Sequence, residues 1–273
     1  MEINGNKYKM NTVLFKDPLF EIAMNAALLA GEKILEIYGE DDHGVEIKDD
    51  QSPLTRADKA AHRVIMDKLE PTALPVLSEE GRAISFAERS QWDRFWMVDP
   101  LDGTKEFISR NGEFTVNIAL IEDGKPVMGV VYVPVLDELY VGKEGQGALL
   151  IRHAAAEPWE ILSLPIEEAT IGRVCRIVGS RSHLNDETIA FVEKLRAMHT
   201  EIEMVQRGSS LKICMVAAGE ADIYPRFGPT MEWDTAAGHA VVRAAGKRMV
   251  VAGSDNEVSY NKGDLLNPFF VVQ

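Results

Sequence analysis

A short apolar run passes directly into two carboxylates and a turn in the stretch Trp96-Met97-Val98-Asp99-Pro100-Leu101-Asp102-Gly103-Thr104-Lys105-Glu106-Phe107. The apolar part predicts a buried strand, and Pro100 favours an extended conformation for Asp99, so the chain leaves the strand in a set direction. Gly103 allows a close turn where Thr104 opens a predicted helix, whose free N–H groups attract anions. Because carboxylates bind hard cations, the stretch indicates a site for a metal ion and a phosphate. The alternative is structural, since a strand, a proline turn and an aspartate-capped helix are common.

Acidic residues also stand at the ends of two other predicted elements. Glu79 and Glu80 follow a candidate strand at 74–78, and Asp234 opens a predicted helix after Trp233. Folds of the α/β class place their chemistry at such ends. Acids from three separate segments therefore indicate a metal site built from oxygen ligands.

These motifs resemble the signatures of the inositol monophosphatase superfamily, whose members are metal-dependent, lithium-sensitive phosphatases. The resemblance rests on Asp99-Pro100-Leu101-Asp102-Gly103-Thr104, Glu79-Glu80 and Trp233-Asp234-Thr235-Ala236-Ala237-Gly238. The fuller string through Phe107 resembles one branch, the bacterial 3'(2'),5'-bisphosphate nucleotidases of sulfur assimilation. Two further segments share that likeness, Gly208-Ser209-Ser210-Leu211-Lys212 and Tyr224-Pro225-Arg226-Phe227.

The resemblance runs from about the first helix to the last strand and implies an α/β (α+β) fold. Its expected form is a layered α/β/α/β/α sandwich of the inositol monophosphatase/fructose-1,6-bisphosphatase type. We expect an N-terminal extension at 1–16, an α+β lobe at 17–152 with most metal ligands, and an α/β lobe at 153–273. The second lobe would carry Asp234 and the substrate-binding residues.

Hydrophobic and turn patterns predict the elements of both lobes. In the first lobe, Asp17 caps a helix at 18–38 that stops at Gly39, and a second helix begins near Thr55. A short strand is predicted at 45–48. Three strands form an antiparallel meander, at 114–121, 125–133 and 138–141. Residues 142–147 are expected to form a turn-rich link, and 154–165 the passage into the second lobe. There, strands at 171–178, 201–205, 222–224, 249–251 and 269–272 are interspersed with helices at 185–199, 209–218 and 234–245.

Composition narrows the classes of partner. The chain has 273 residues, with 29 Lys and Arg against 43 Asp and Glu, a formal charge of −14. Such a surface repels nucleic-acid backbones and anionic lipid, so no nucleic-acid polymer is expected as a partner. A small anionic substrate would need metal ions and a local basic cluster.

The cysteines and the lengths of the apolar runs indicate where in the cell the protein is located. Cys175 and Cys214 lie far apart and fit no metal-ligand spacing, which favours free thiols in a reducing cytosol. No apolar run is long enough to span a membrane, and residues 1–11 lack the apolar stretch of a signal peptide. We expect a cytoplasmic protein, monomeric or homodimeric, with peripheral attachment to the inner membrane left open.

Position by position, the resemblance implies a two-metal site with two or three Mg²⁺ ions in all and inhibition by Li⁺. One ion would bind Glu79, Asp99 and the Leu101 carbonyl, and the second would bind Asp99, Asp102 and Asp234. Glu79 would also be catalytic, with Thr104 and Asp58 orienting the attacking water. The spacing of Thr55 and Asp58 alone favours a helix capping box.

The substrate is inferred from cations in the second lobe. Lys212 and Arg226 stand where inositol-specific relatives tend to carry a neutral residue and a carboxylate, so they suit a second phosphate. Taken singly, each fits an ordinary surface cation. The resemblance implies hydrolysis of adenosine 3',5'-bisphosphate (PAP) to AMP and of the sulfated nucleotide PAPS to APS. The full set of implied substrate contacts is Glu79, Leu101, Asp102, Gly103, Thr104, His183, Gly208, Ser209, Lys212, Arg226 and Asp234.

Three alternatives remain open from the sequence. The first keeps the superfamily but changes the substrate to inositol 1-phosphate or fructose bisphosphate. The second is a phosphatase with an aspartyl nucleophile, although its usual pattern has one residue between the aspartates where Pro100 and Leu101 intervene. The third is a phosphonucleotide-binding regulator or sensor. The presence of every expected ligand argues against it.

Overall fold

The computed structural model describes residues 15, 17–40, 44–47, 53–166, 174–179, 185–197 and 201–273. The helices are α1 (Pro18–Tyr38), α2 (Arg56–Leu69), α3 (Phe86–Arg89), α4 (Thr104–Ile108), α5 (Asp186–Arg196), α6 (Leu211–Ala218) and α7 (Glu232–Ala244), with a 3-10 turn at Glu70–Thr72. The strands are β1 (Glu46–Ile47), β2 (Pro53–Leu54), β3 (Val76–Ser78), β4 (Arg94–Asp102), β5 (Thr115–Glu122), β6 (Lys125–Val133), β7 (Glu138–Lys143), β8 (Gly147–Arg152), β9 (Glu160–Leu164), β10 (Cys175–Gly179), β11 (Ile202–Gln206), β12 (Tyr224–Arg226), β13 (Met249–Val251) and β14 (Phe270–Val272). Most of the predicted extension at 1–16 lies outside the described residues.

The two N-terminal helices begin at the residues that the sequence indicates. Asp17 caps α1 by accepting a 2.9 Å hydrogen bond from Leu19 N on its Oδ1, and Gly39 ends the helix. Thr55 caps α2 by accepting from the backbone N–H groups of Ala57 and Asp58. The capping signals therefore predict both helix starts correctly.

A seven-stranded sheet forms the centre of the molecule, in the order β3-β4-β5-β6-β7-β8-β9. β3 and β4 are parallel, and every other neighbouring pair is antiparallel, which confirms the predicted meander.

The expected connection at 154–165 is wrong in one part, since Glu160–Leu164 forms the last strand of this sheet. Within β9 only Leu164 is buried. Its apolar run is short and lies between Pro158 and Pro165, which favour a connection in the sequence. The division into lobes at 152/153 stays a prediction.

Helices cover both faces of the sheet. Along β4, Trp96 and Val98 pack in the cluster that includes α1 and α2, whereas Phe95 and Met97 pack in the cluster that includes α6 and α7. Burial on both sides explains why this strand reads as a continuous apolar run.

β1 and β2 pair as a separate two-stranded sheet, and the C-terminal strands β10–β14 form a further layer behind α6 and α7. β12, β14 and β13 make an antiparallel sheet, β10 and β11 pair in parallel, and an Ile177–Ile223 bridge joins the two groups. On β10, Ile177 packs with Val192 and Leu195 of α5, and Val178 packs in the cluster that contains α6. Alternate residues of β10 thus face two different helix layers, and the predicted α/β/α/β/α sandwich is confirmed.

A bulge at the end of β4 shapes the site. Asp99 pairs with Asn117 of β5 and Asp102 with Thr115, so β4 has one more residue than its partner over this interval. The strand continues through Asp102, so both aspartates lie on it. An extra residue re-aims the side chains around it, here the two aspartates.

Candidate active site

Three carboxylates from distant parts of the chain meet at one point. Glu79 follows β3, Asp99 lies on β4 and Asp234 lies in the first turn of α7, and one oxygen from each lies within 4.8 Å of the other two. Asp99 is only 2% exposed, and the other two residues are half-buried. The structure therefore brings together three of the predicted metal ligands.

The electrostatics of this cluster favour a bound cation. Burial, followed by the charges of Glu79, Asp102 and Asp234, raises the pKa of Asp99 well above its usual range. Burial, with Asp102 and Glu79, likewise raises the pKa of Asp234. Carboxylates that repel one another in this way are stabilised as anions by a hard divalent ion with oxygen ligands. The residues present thus fit the expected metal.

Asp234 also organises the start of α7. Its Oδ2 accepts a 2.8 Å hydrogen bond from Met231 N, so the helix begins at Glu232, two residues earlier than predicted. One oxygen of Asp234 therefore holds the helix start while the residue takes part in the carboxylate cluster.

Asp102 lies beside this cluster but is bound to the start of α6. Its Oδ2 accepts hydrogen bonds of 2.6 Å from Ser209 Oγ, Ser210 N and Ser210 Oγ. Among the described residues, Asp102 Oδ1 accepts no hydrogen bond. Leu101 N donates to Asp99 Oδ1 over 3.0 Å, which holds the bulge between the two aspartates. The predicted ligand roles of Leu101 and Asp102 stay predictions.

Asp58 serves both as a helix cap and as a partner of Thr104. Asp58 Oδ2 accepts from Thr55 N at 2.7 Å and from Thr55 Oγ1 at 2.5 Å, which completes the capping box. Its Oδ1 accepts a 3.3 Å hydrogen bond from Thr104 Oγ1. Burial is the main cause that raises the pKa of Asp58. The two interpretations of Asp58 are compatible because each uses a different oxygen.

A buried polar network behind Asp102 was not predicted from the sequence. Asn117 Nδ2 donates to Ser210 Oγ over 2.8 Å, and Thr115 Oγ1 contacts Asn117 Oδ1 at 3.0 Å and Ser209 Oγ at 2.7 Å. Ser210 Oγ also lies 2.6 Å from the Asp234 carbonyl oxygen. Polar residues inside the apolar stretch 114–121 are the signal that would have identified Thr115 and Asn117.

A cavity of about 170 Å³ opens next to the carboxylates, lined by Asp102, Glu106, Lys212, Tyr224, Arg226 and Asp234 among others. Lys212 is 6% exposed and donates a 2.6 Å hydrogen bond to the Ser209 carbonyl, with its Nζ 5.6 Å from the centre of the Tyr224 ring. Burial lowers the pKa of Lys212 to about 8. Arg226 Nε is buried without a hydrogen-bond partner among the described residues. The two predicted phosphate-binding cations therefore share one cavity with Asp102 and Asp234.

The loop before α6 brings its predicted contacts to the same place. Gly208 N donates to Glu113 Oε2 over 2.8 Å, and Ser209 has a φ of 52°. Gly103, with a φ of 94°, makes the close turn that the sequence indicated. His183 lies outside the described residues.

Comparison with known proteins gives consistent matches. A model of the inositol monophosphatase family matches residues 16–268. The chain is 48% identical to the 3'(2'),5'-bisphosphate nucleotidase CysQ of Shigella flexneri over 84% of this chain and 87% of that protein. It is 47% identical to the same-named enzyme of Salmonella typhimurium over 84% of this chain and 88% of that protein. The crystal structure of CysQ from Bacteroides thetaiotaomicron superposes with a TM-score of 0.86 at 49% identity, covering 96% of this chain and 98% of that one.

None of the described helices combines the length and apolar character needed to cross a lipid bilayer. The expected cytoplasmic location and the monomeric or homodimeric state stay predictions.

Proposed function

The chain belongs to the inositol monophosphatase family, and we propose that it is a 3'(2'),5'-bisphosphate nucleotidase that hydrolyses PAP to AMP and phosphate. The 3'(2'),5'-bisphosphate nucleotidase activity of its CysQ relatives supports this assignment. The observation that carries it is the cavity in which Lys212 and Arg226 accompany Asp102 and Asp234. A substrate with two phosphates needs cations in addition to the groups at the scissile ester.

The carboxylates would hold the divalent ions of the reaction. Glu79, Asp99 and the Leu101 carbonyl would bind one Mg²⁺, and Asp99, Asp102 and Asp234 the second. Bound divalent ions lower the pKa of a water molecule and neutralise the charge on the leaving oxygen. Inhibition by Li⁺ is expected from the family resemblance.

Thr104 and Asp58 orient the attacking water. Because Thr104 Oγ1 donates its proton to Asp58 Oδ1, its lone pairs are free to accept a hydrogen bond from that water. The water then attacks the 3' phosphorus in line with the ester oxygen, and the bond between phosphorus and that oxygen breaks. Phosphate and AMP are released without a covalent enzyme intermediate.

The second phosphate binds at the start of α6. Lys212 and Arg226 neutralise it, and Ser209 lies in the same wall of the cavity. A sulfated 5'-phosphate offers a related anion, so PAPS is the second expected substrate, with a role in sulfur assimilation. Inositol 1-phosphate has no second phosphate to bind these cations.

Phosphate release from PAP and from inositol 1-phosphate, each with and without Mg²⁺ and Li⁺, tests the proposal. We expect Mg²⁺-dependent turnover that strongly favours PAP and that Li⁺ inhibits. A preference for inositol 1-phosphate would contradict the assignment. Lys212→Met should remove most of the preference, whereas Lys125→Met, a matched change at an exposed lysine outside the cavity, should leave it.

A further inference from the structure

Glu106 is a carboxylate of the cavity to which the metal scheme gives no role. It lies in the first turn of α4, is half-buried, and lines the cavity together with Lys212 and Arg226. The cavity must admit a strongly anionic substrate, and the charges of Asp102, Glu106 and Glu113 raise the pKa of Lys212 against the effect of burial. This attraction at a distance does not use the hydrogen-bonding capacity of the Glu106 carboxylate.

Two glycines make room for this side chain. A Cβ atom at Gly208 would lie 2.6 Å from Glu106 Cγ and 3.1 Å from its Oε1. A Cβ at Gly103 would lie 3.3 Å from Glu106 Oε2. The backbone segments that carry Asp102 and Ser209 thus both approach the Glu106 side chain where they have no side chain of their own.

The Glu106 carboxylate accepts no hydrogen bond and forms no ion pair within the described part of the chain. Its acidic neighbours differ in this respect. Asp102 accepts from Ser209 and Ser210, and Glu113 accepts from Gly208 N over 2.8 Å. Glu106 is therefore an available charged acceptor at the surface of the cavity, and a donor on the ligand would complete it.

We propose that Glu106 accepts a hydrogen bond from the free ribose hydroxyl of the substrate, an inference that rests on the proposed function. The sugar is the part of a nucleoside bisphosphate that connects the scissile phosphate, at the carboxylates, to the second phosphate, at Lys212 and Arg226. A 3',5'-bisphosphate keeps one ribose hydroxyl, at 2', and the 2',5' isomer keeps one at 3'. Either hydroxyl is adjacent to the scissile ester, so one acceptor serves both isomers.

This contact makes Glu106 a specificity residue. A pocket built to bind a substrate hydroxyl discriminates against the analogue that lacks it, because the acceptor then stays unpaired beside bound anions. The analogue to compare is 2'-deoxyadenosine 3',5'-bisphosphate, which differs from PAP by that one hydroxyl.

The test is the ratio of kcat/KM for PAP to kcat/KM for the 2'-deoxy analogue, measured for the wild type and three variants. We expect a wild-type ratio of roughly ten- to a hundredfold, as for a hydrogen bond to a charged group. Glu106→Ala should bring the ratio to within about twofold of unity, and Glu106→Gln, which keeps a neutral acceptor, to roughly two- to tenfold. Glu113→Gln is the matched control and should leave the ratio unchanged, because the carboxylate of Glu113 is already bound by Gly208 N.

Equal turnover of both compounds by the wild type would overturn the inference while leaving the proposed function intact. The inference would also be overturned by a Glu106→Ala enzyme that kept the full ratio, or by a Glu113→Gln enzyme that lost the ratio. Should Glu106→Ala fail to fold, the ratio of the isosteric Glu106→Gln enzyme decides: an unchanged value contradicts the contact. Absence of phosphate release from PAP by the wild type would overturn the proposed function, and the sugar contact with it.

Discussion

Thr104 Oγ1 donates a 3.3 Å hydrogen bond to Asp58 Oδ1, which joins the turn after β4 to the first turn of α2. The second oxygen of Asp58 accepts from Thr55, so the carboxylate is fixed from both sides. Thr104 is consequently held in one rotamer, with its lone pairs available to a water molecule. In the proposed mechanism, the threonine hydroxyl, not the carboxylate, would therefore contact the attacking water.

Removal of the Thr104 hydroxyl should therefore reduce catalysis more than stability. Thr104→Val keeps the shape of the side chain but loses the acceptor for the water, and we expect kcat to fall by roughly 10²- to 10⁴-fold. Thr104→Ser, the control, keeps the hydroxyl and most of the activity. Steady-state kinetics with PAP measure both, and a Thr104→Val enzyme with near-normal kcat would show that the water is oriented elsewhere.

The hydrogen bonds around Asn117 predict that this residue positions the Asp102 carboxylate through Ser210. Asn117 is 1% exposed, and its Nδ2 holds Ser210 Oγ, which in turn contacts Asp102. Asn117→Ala should lower the free energy of unfolding by about 1–3 kcal/mol, because the buried Ser210 hydroxyl loses its donor. It should also lower kcat, since the Asp102 carboxylate gains freedom.

Asn25→Ala is the matched control for that experiment. Asn25 is a buried asparagine of α1 whose Nδ2 donates to the Glu21 carbonyl over 2.9 Å, away from the site. Urea unfolding should show a loss of stability in both variants, with kcat reduced in Asn117→Ala alone. Equal kcat values in the two variants would limit Asn117 to a structural role.

Lys212 predicts an alkaline limit on substrate binding. Burial lowers its pKa to about 8, so the ammonium that binds phosphate is present below that pH and is lost as the pH rises through it. We expect kcat/KM for PAP, which reports the free enzyme, to fall above about pH 8. Lys212→Arg should keep its charge and extend activity to higher pH. A flat wild-type profile up to pH 10 would contradict the combination of a lowered pKa and a phosphate contact at Lys212.

Metal binding should release protons. Without a cation, burial and neighbouring acids raise the pKa values of Asp99 and Asp234, so both carboxyls hold protons at higher pH than usual. A divalent ion favours their ionised forms and displaces those protons. Calorimetric titration with Mg²⁺ in two buffers of different ionisation enthalpy should give different apparent heats, and the difference should be larger at lower pH. Identical heats in both buffers would contradict the raised pKa values.

Much of this architecture could be predicted from local signals. Asp17, Pro18 and Gly39 mark the ends of α1, and the breaks between strands mark the hairpins of β5, β6 and β7, because caps and turns depend on a few neighbouring residues. β9 was missed because its short apolar run lies between Pro158 and Pro165, which favour a connection. Residues 160–164 form a strand because they pair with β8 at the edge of the sheet.

The same distinction between local signals and long-range contacts applies to the candidate site. Asp99, Asp102 and Asp234 could be identified because they stand in recognisable motifs. Their arrangement could not, since it depends on the bulge in β4 and on Ser209 and Ser210, more than a hundred residues further along the chain. Asn117 and Thr115 follow no motif. Their contacts with Ser210 and Ser209 arise only when β5 packs against the start of α6.

The proposed mechanism depends above all on the prediction that Glu79, Asp99 and Asp234 hold a divalent cation. The most direct test is the affinity for Mn²⁺, a paramagnetic substitute for Mg²⁺, measured by electron paramagnetic resonance. We expect the wild type to bind Mn²⁺ and Asp99→Asn, which removes the buried central carboxylate, to bind it at least ~100-fold more weakly while keeping its melting temperature. Glu122→Gln, at the far end of β5, should bind Mn²⁺ as the wild type does. Undiminished Mn²⁺ affinity in a folded Asp99→Asn protein would contradict the account.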